Sequence, residues 1–122
     1  MKLLSPIKIG NLEIKNRVIM APMTNNFAKD GFITEQMIDF YEERAKGGVG
    51  IITVEDGIVD FPLGNNAKNP VSIDDDKYIP MLKKLSSAIK KHGAKAAIQL
   101  SHAGRRAGRV TLENGYLEVR SQ

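Results

Sequence analysis

Three stretches of this 122-residue chain end an apolar run in residues able to do chemistry: Pro22-Met23-Thr24, Glu55-Asp56-Gly57 and Gln99-Leu100-Ser101-His102. Thr24 brings a hydroxyl that donates and accepts, Gln99 an amide with a paired donor and acceptor, and Glu55 and Asp56 bring carboxylates. Such groups orient a polar ligand and tune the charge that develops on it. A buried amide must be satisfied, so Gln99 within an apolar strand points to a ligand. Thr24 has a plainer alternative as a loop or cap threonine. Glu55 and Asp56 have one as a solvated strand end, although the backbone at Asp56 can still meet a ligand. His102 lies in a glycine-rich loop and reads as structural, and Arg105 and Arg106 read as residues that shape that loop, with a phosphate contact as the alternative.

Composition narrows the field. The chain is 42% hydrophobic and 26% charged, with 18 basic and 14 acidic residues and a net charge of +4. This is the make-up of one globular domain with a core of its own. It contains no cysteine, which excludes disulfides, thiolate metal sites, iron–sulfur ligation and a cysteine nucleophile within these residues. No apolar run approaches a membrane span, and Pro6 interrupts the N-terminus before a signal core could form. These features predict a cytoplasmic protein. Sparse aromatics and the lack of a nucleic-acid motif argue against a nucleic-acid partner despite the arginines near the C-terminal end.

The elements that must hold these groups follow from periodicity. Ile7-Lys8-Ile9 and Leu12-Glu13-Ile14 alternate around Gly10-Asn11, a hairpin signature. Two strands this short need a larger body to pack on, so the hairpin is expected to act as a plug or cap. Arg17 to Ala21 is a continuous apolar strand stopped by Pro22, and a loop with an Asp30-Gly31 turn follows it. Thr34 caps a helix whose buried face is Met37, Ile38, Tyr41 and Ala45 and which stops at Gly47-Gly48. Val49 to Val54 is a second buried strand, closed by Glu55-Asp56-Gly57. Residues 58–73 read as a long functional loop. Asp74 to Asp76 open a second helix with Pro80 in its first turn and an apolar stripe of Tyr78, Met81, Leu82, Leu85, Ala88 and Ile89. Gly93 stops it, and Ala94 to Leu100 is a third strand. From Ser101 to Gln122 the chain reads mostly as loop.

The order is therefore a hairpin followed by β-α-β-α-β, which implies parallel strands in an α/β fold. A doubly wound sheet and the start of a β/α barrel both satisfy it. No G-x-G-x-x-G follows a strand, which counts against a Rossmann unit. In both architectures ligands bind at the carboxyl ends of the strands, where the three polar stretches fall.

Pro6 to Arg17, Ala21-Pro22-Met23-Thr24, Gly47-Gly48-Val49-Gly50-Ile51-Ile52 and Gln99-Leu100-Ser101-His102-Ala103-Gly104-Arg105, in that order, resemble the old yellow enzyme family. These are the NADH:flavin oxidoreductases, which include ene-reductases and 2,4-dienoyl-CoA reductases. The resemblance implies the N-terminal portion of a (β/α)8 TIM barrel: a hairpin plus about three β/α units, with residues 1–122 as an incomplete FMN-binding domain. It implies FMN as cofactor, NAD(P)H as reductant and a small-molecule alkene as substrate. Ala21, Pro22, Met23 and Thr24 would line the flavin, with the Thr24 hydroxyl donating to its C4 carbonyl. The Asp56 backbone N–H would meet the ring, and Gln99 would pair with the pyrimidine edge. Asn26 falls where some relatives place a substrate-contacting tyrosine.

By the same resemblance, the phosphate anchor, the substrate-binding His/Asn pair, the catalytic tyrosine and any iron–sulfur cysteines would lie C-terminal to this chain, so none of these 122 residues is assigned as catalytic. Alone, the chain is expected to be inactive, to bind FMN weakly, and to self-associate or be completed by the rest of the barrel. Two alternatives are a tRNA-dihydrouridine synthase-like FMN barrel and a non-catalytic α/β module.

Overall fold

The computed structural model describes residues 2–107. After a 3-10 turn at Lys2–Leu4, β1 (Ile7–Ile9) and β2 (Leu12–Ile14) pair antiparallel as the expected hairpin. Gly10 holds φ +57° in its turn, a conformation that favours glycine. There follow β3 (Ile19–Met20), α1 (Glu35–Lys46), β4 (Ile51–Ile58), β5 (Val71–Ser72), α2 (Ile79–Lys91) and β6 (Lys95–Ser101).

β4 is the centre of a parallel four-stranded sheet. Ile51 and Ile52 pair with Ile19 and Met20 of β3 on one side and with Lys95 and Ala96 of β6 on the other. Gly57 and Ile58 pair with Val71 and Ser72 of β5, again opposite β6. β3 and β5 therefore share one flank of β4, β3 low and β5 high. The chain leaves the sheet after Met20, and β5 takes its place.

Both helices cover one face. Ile52 and Val54 of β4 pack with Met37, Ile38, Tyr41 and Ala45 of α1 and with Leu85 and Ile89 of α2, all buried. Each Ile, Val, Leu or Met side chain among these stabilises by roughly 1.5–3 kcal/mol when fully buried. Thr34 caps α1 as expected: its Oγ1 accepts from the Met37 N–H at 3.3 Å and donates to the Phe27 carbonyl at 2.6 Å. A Glu42–His92 contact at 2.8 Å ties α1 to the end of α2.

Beyond shifts of one or two residues, four features differ from the sequence reading. β3 keeps only Ile19–Met20 of the expected Arg17–Ala21: the chain leaves the sheet ahead of Pro22, which has no N–H to give a ladder. β4 runs on through Glu55-Asp56-Gly57, which were expected to close it. The 58–73 loop contains β5. The second helix begins at Ile79, since the Asp75 side chain accepts from the Lys77 N–H at 2.9 Å and sets a 3-10 turn at Asp76–Tyr78 first. Beyond Ser101 the described chain forms a 3-10 turn at Gly104–Arg106; the loop expected for the remainder lies outside the described residues.

The hairpin plugs the amino ends of the strands. Ile14 is buried, the Lys15 Nζ donates to the His92 carbonyl at the end of α2 (2.8 Å), and the Asn16 Nδ2 donates to the Gly48 carbonyl at the end of α1 (2.7 Å). A lysine at a helix C-terminus also meets the negative end of its dipole. Asn16 Oδ1 accepts from the Val18 N–H at 3.1 Å, so one side chain fixes the turn into β3 and the exit of α1. Among the described residues no helix is long and apolar enough to cross a membrane.

Gly50 lies directly under this clasp: a Cβ there would stand 2.6 Å from Asn16 Oδ1 and 2.8 Å from its carbonyl oxygen. Gly50→Ala is expected to lower stability by about 1–3 kcal/mol through overpacking. Urea unfolding checks this, and an unchanged midpoint would show that the hairpin is not seated as described.

Candidate functional site

The extension of β4 carries an irregularity. Val54 pairs with Ile98 and Gly57 with Leu100, so Glu55 and Asp56 together stand opposite Gln99 alone. This is a β-bulge, a device that re-aims side chains and is common next to active sites. Two of the three polar stretches thus meet at one point. Val54 already faces the helices, yet Glu55 reaches the same layer and is 1% exposed. Without the extra residue, strict alternation would send Glu55 to the opposite face.

The third stretch is tied to the same point. The Asn25 N–H donates to Glu55 Oε2 at 2.9 Å, and the Tyr41 hydroxyl donates to the same oxygen at 3.2 Å. That hydroxyl accepts in turn from the Glu55 N–H at 3.1 Å. Asn25 Oδ1 accepts from the Phe27 N–H at 2.9 Å, closing an Asx turn. Thr24 is therefore held one residue from the bulge. The structure brings Thr24, Asp56 and Gln99 to the carboxyl ends of β3, β4 and β6, as expected.

Several side chains here are left without partners. The side chains of Thr24 and Gln99 are exposed, and Asp56 is half-buried. None makes a side-chain hydrogen bond to another described residue, whereas Lys15 and Asn16 at the hairpin end are paired. Gln99 is not the buried amide the sequence suggested: Ala96 and Ile98 pack on the helix side, and alternation puts Gln99 on the open side. Ala21 and Met23 are exposed and Pro22 half-buried along the segment before Thr24. A hydroxyl, an amide and backbone N–H groups suit the edge of a planar heterocycle that alternates donors and acceptors, so these residues fit a flavin. Among the described residues no cluster of His, Asp or Glu could hold a metal ion.

Asn26 is engaged differently. It sits at φ +59°, its Oδ1 accepts from the Asn69 N–H at 3.1 Å, and its carbonyl accepts from Asn69 Nδ2 at 3.2 Å. It thus straps the 59–70 segment to the β3 exit. His102 Nδ1 accepts from the Gly104 N–H at 3.0 Å, and its Nε2 stands 3.4 Å from Asp60 Oδ2, consistent with a loop-building role. Arg105 and Arg106 lie exposed in the 3-10 turn.

Sequence reasoning missed Glu55, Tyr41 and Asn25 as one unit. The available signal was Tyr41: a tyrosine on a buried helix face needs a partner for its hydroxyl. Among the described residues Glu55 Oε1 and Asn25 Nδ2 are buried without a hydrogen bond, each a cost of roughly 1–3 kcal/mol. Burial pushes the Glu55 carboxyl above the ordinary glutamate range, against the bonds from Asn25 and Tyr41 that favour its charged form. Burial likewise raises Tyr41 well above a free tyrosine.

The model of the NADH:flavin oxidoreductase / NADH oxidase family matches residues 2–117. An NADH oxidase of Thermoanaerobacter brockii is 45% identical over 104 residues, covering 84% of this chain and 16% of the relative. Among solved structures, a complex of 2-naphthoyl-CoA reductase superposes with TM-score 0.84 at 35% identity, over 89% of this chain and 17% of that one. An old yellow enzyme from Pichia sp. AKU4542 gives TM-score 0.81 at 29% identity, over 94% of this chain and 30% of that one. The chain thus spans less than a third of the length of each. The likeness identifies its sheet and helices as part of a (β/α)8 barrel, as the sequence suggested.

The raised Glu55 carboxyl has a pH signature. The folded state favours its protonated form, so its contribution is fully present below about 4.5, where a free glutamate titrates, and is lost as pH rises through the higher folded value. Glu55→Gln should fall less in stability than the native chain as pH rises above 4.5. Urea unfolding across pH tests this, and equal slopes for the two proteins would contradict it.

Proposed function

The chain belongs to the NADH:flavin oxidoreductase / NADH oxidase family, and from that membership we propose that it forms part of an FMN-dependent oxidoreductase acting between NAD(P)H and an activated alkene. The observation that carries this reading is the meeting of the Thr24, Asp56 and Gln99 stretches at one bulge, on the carboxyl ends of parallel strands, with the side chains of those three residues making no hydrogen bond to another described residue. FMN, when bound, supplies the hydride chemistry.

The chain's own part is binding and orientation. Ala21, Pro22 and Met23 form a wall that excludes water from one side of the ligand. Thr24 donates its hydroxyl proton to a ligand carbonyl and steadies negative charge there. The Asp56 backbone N–H adds a second donor, and the Gln99 amide pairs with the donor–acceptor edge. At Asn26, Oδ1 is held by Asn69, which leaves Nδ2 for a substrate.

Residues 1–122 are read as the N-terminal part of the barrel domain, to be completed by further β/α units. An apolar hollow of about 510 Å3 supports this: Leu82, Leu85 and Ile89 of α2 and Ala96 and Ile98 of β6 line it in the helix–sheet layer. Leu100 is 70% exposed on the same strand. The same reading puts the protein in the cytoplasm. Neither a dihydrouridine synthase-like barrel nor a non-catalytic module gains an observation of its own.

FMN titration of the intact protein, followed by quenching of flavin fluorescence, tests the proposal. Thr24→Val and Gln99→Leu should each weaken binding about 10-fold, near 1.4 kcal/mol, the scale of one hydrogen bond. A protein that stays colourless with FMN in excess would overturn the reading.

A further inference from the structure

We propose that Glu55 is a positioning residue for the flavin wall, using its buried carboxylate oxygen to clamp the Asn25 N–H and so fix Ala21 to Thr24 against the strand ends. The inference rests on the FMN reading above. It begins with an oddity of placement. The segment after Met20 leaves the sheet, so no strand ladder fixes it, and β5 fills the flank it vacates. Yet it must present Thr24 in a defined direction. Asn69 and Thr34 hold it further on, at the Asn26 and Phe27 carbonyls, and the attachment next to Thr24 is a side chain of β4: Glu55 Oε2 takes the Asn25 N–H at 2.9 Å.

That oxygen is itself held from behind. Tyr41 donates to it at 3.2 Å and accepts from the Glu55 N–H at 3.1 Å, so the carboxylate is braced between its own backbone and α1. The Asx turn from Asn25 Oδ1 to the Phe27 N–H continues the rigid path past Thr24. The bulge is what allows this, because it turns Glu55 toward the helix layer while the neighbouring Asp56 backbone stays beside the open strand ends. Glu55 does not face the ligand; it acts through the backbone it holds. Two buried polar atoms that no other described residue bonds, Glu55 Oε1 and Asn25 Nδ2, sit in this small network. Arrangements that carry such unsatisfied groups call for an explanation, and a positioning role supplies one.

Two variants separate geometry from bulk. Glu55→Gln keeps an acceptor oxygen and should hold the loop. Glu55→Met keeps the length of the side chain and removes the acceptor. In the intact protein without flavin, amide hydrogen exchange at Asn25 should speed at least 10-fold in Glu55→Met and stay near native in Glu55→Gln. With FMN bound, Glu55→Met should bind about 10-fold more weakly, with a shifted visible spectrum, while Glu55→Gln follows the native protein.

Native exchange and a native flavin spectrum in Glu55→Met would overturn the inference, as would equal damage in the two variants. Should Glu55→Met not fold, Tyr41→Phe decides: it removes the brace, and unchanged exchange at both Glu55 and Asn25 would overturn the inference. A native protein that binds no FMN is a different failure, that of the functional reading itself.

Discussion

One extra residue in β4 governs the ligand end of this molecule. Opposite Gln99 the strand carries both Glu55 and Asp56, and the surplus breaks the two-residue alternation that a flat ladder would impose. Glu55 can then join the helix layer, reach Tyr41, and hold the segment that has already left the sheet. Remove the surplus and three things separate. Glu55 would face the open side, Asn25 would lose its acceptor, and Thr24 would have no fixed relation to Gln99.

The two ends of the sheet are built on opposite principles. At the amino end, polar groups are spent on structure: Lys15 and Asn16 close the carboxyl ends of both helices, and Gly50 leaves no room for a side chain beneath them. At the carboxyl end, the Thr24 and Gln99 side chains make no hydrogen bond to another described residue, and the backbone beside them is held by Glu55 at Asn25 and by Asn69 at Asn26. A parallel β/α architecture separates stability from ligand binding in this way because loops at one end can vary without disturbing the other. The buried, partly unsatisfied Glu55 network is the place where the two demands meet.

Much of this was legible in the sequence for local reasons. The hairpin followed from alternation around Gly10-Asn11, and α1 from Thr34 and a four-residue buried face, all of which hold in the structure. What was not legible depends on strands far apart in sequence. β5 is only Val71 and Ser72, too short to show a period, and it forms because the flank above β3 is vacant. The bulge is a mismatch between β4 and β6 that neither strand records alone. Glu55 therefore looked like a solvated strand end, and its link to Tyr41 and Asn25 appears only once the register is known. Gln99 lies near the carboxyl end of β6 and is exposed rather than buried, since its environment depends on what covers the open face.

The central claim is that Thr24, the bulge and Gln99 form one binding surface. A two-dimensional amide NMR spectrum of the intact protein with and without FMN tests it most directly. The account predicts shifts concentrated at Met23 to Phe27, Glu55 to Gly57 and Gln99 to His102, with the hairpin and α2 unchanged. Shifts centred on the α2–β6 hollow or on the hairpin, with the three strand ends silent, would contradict it.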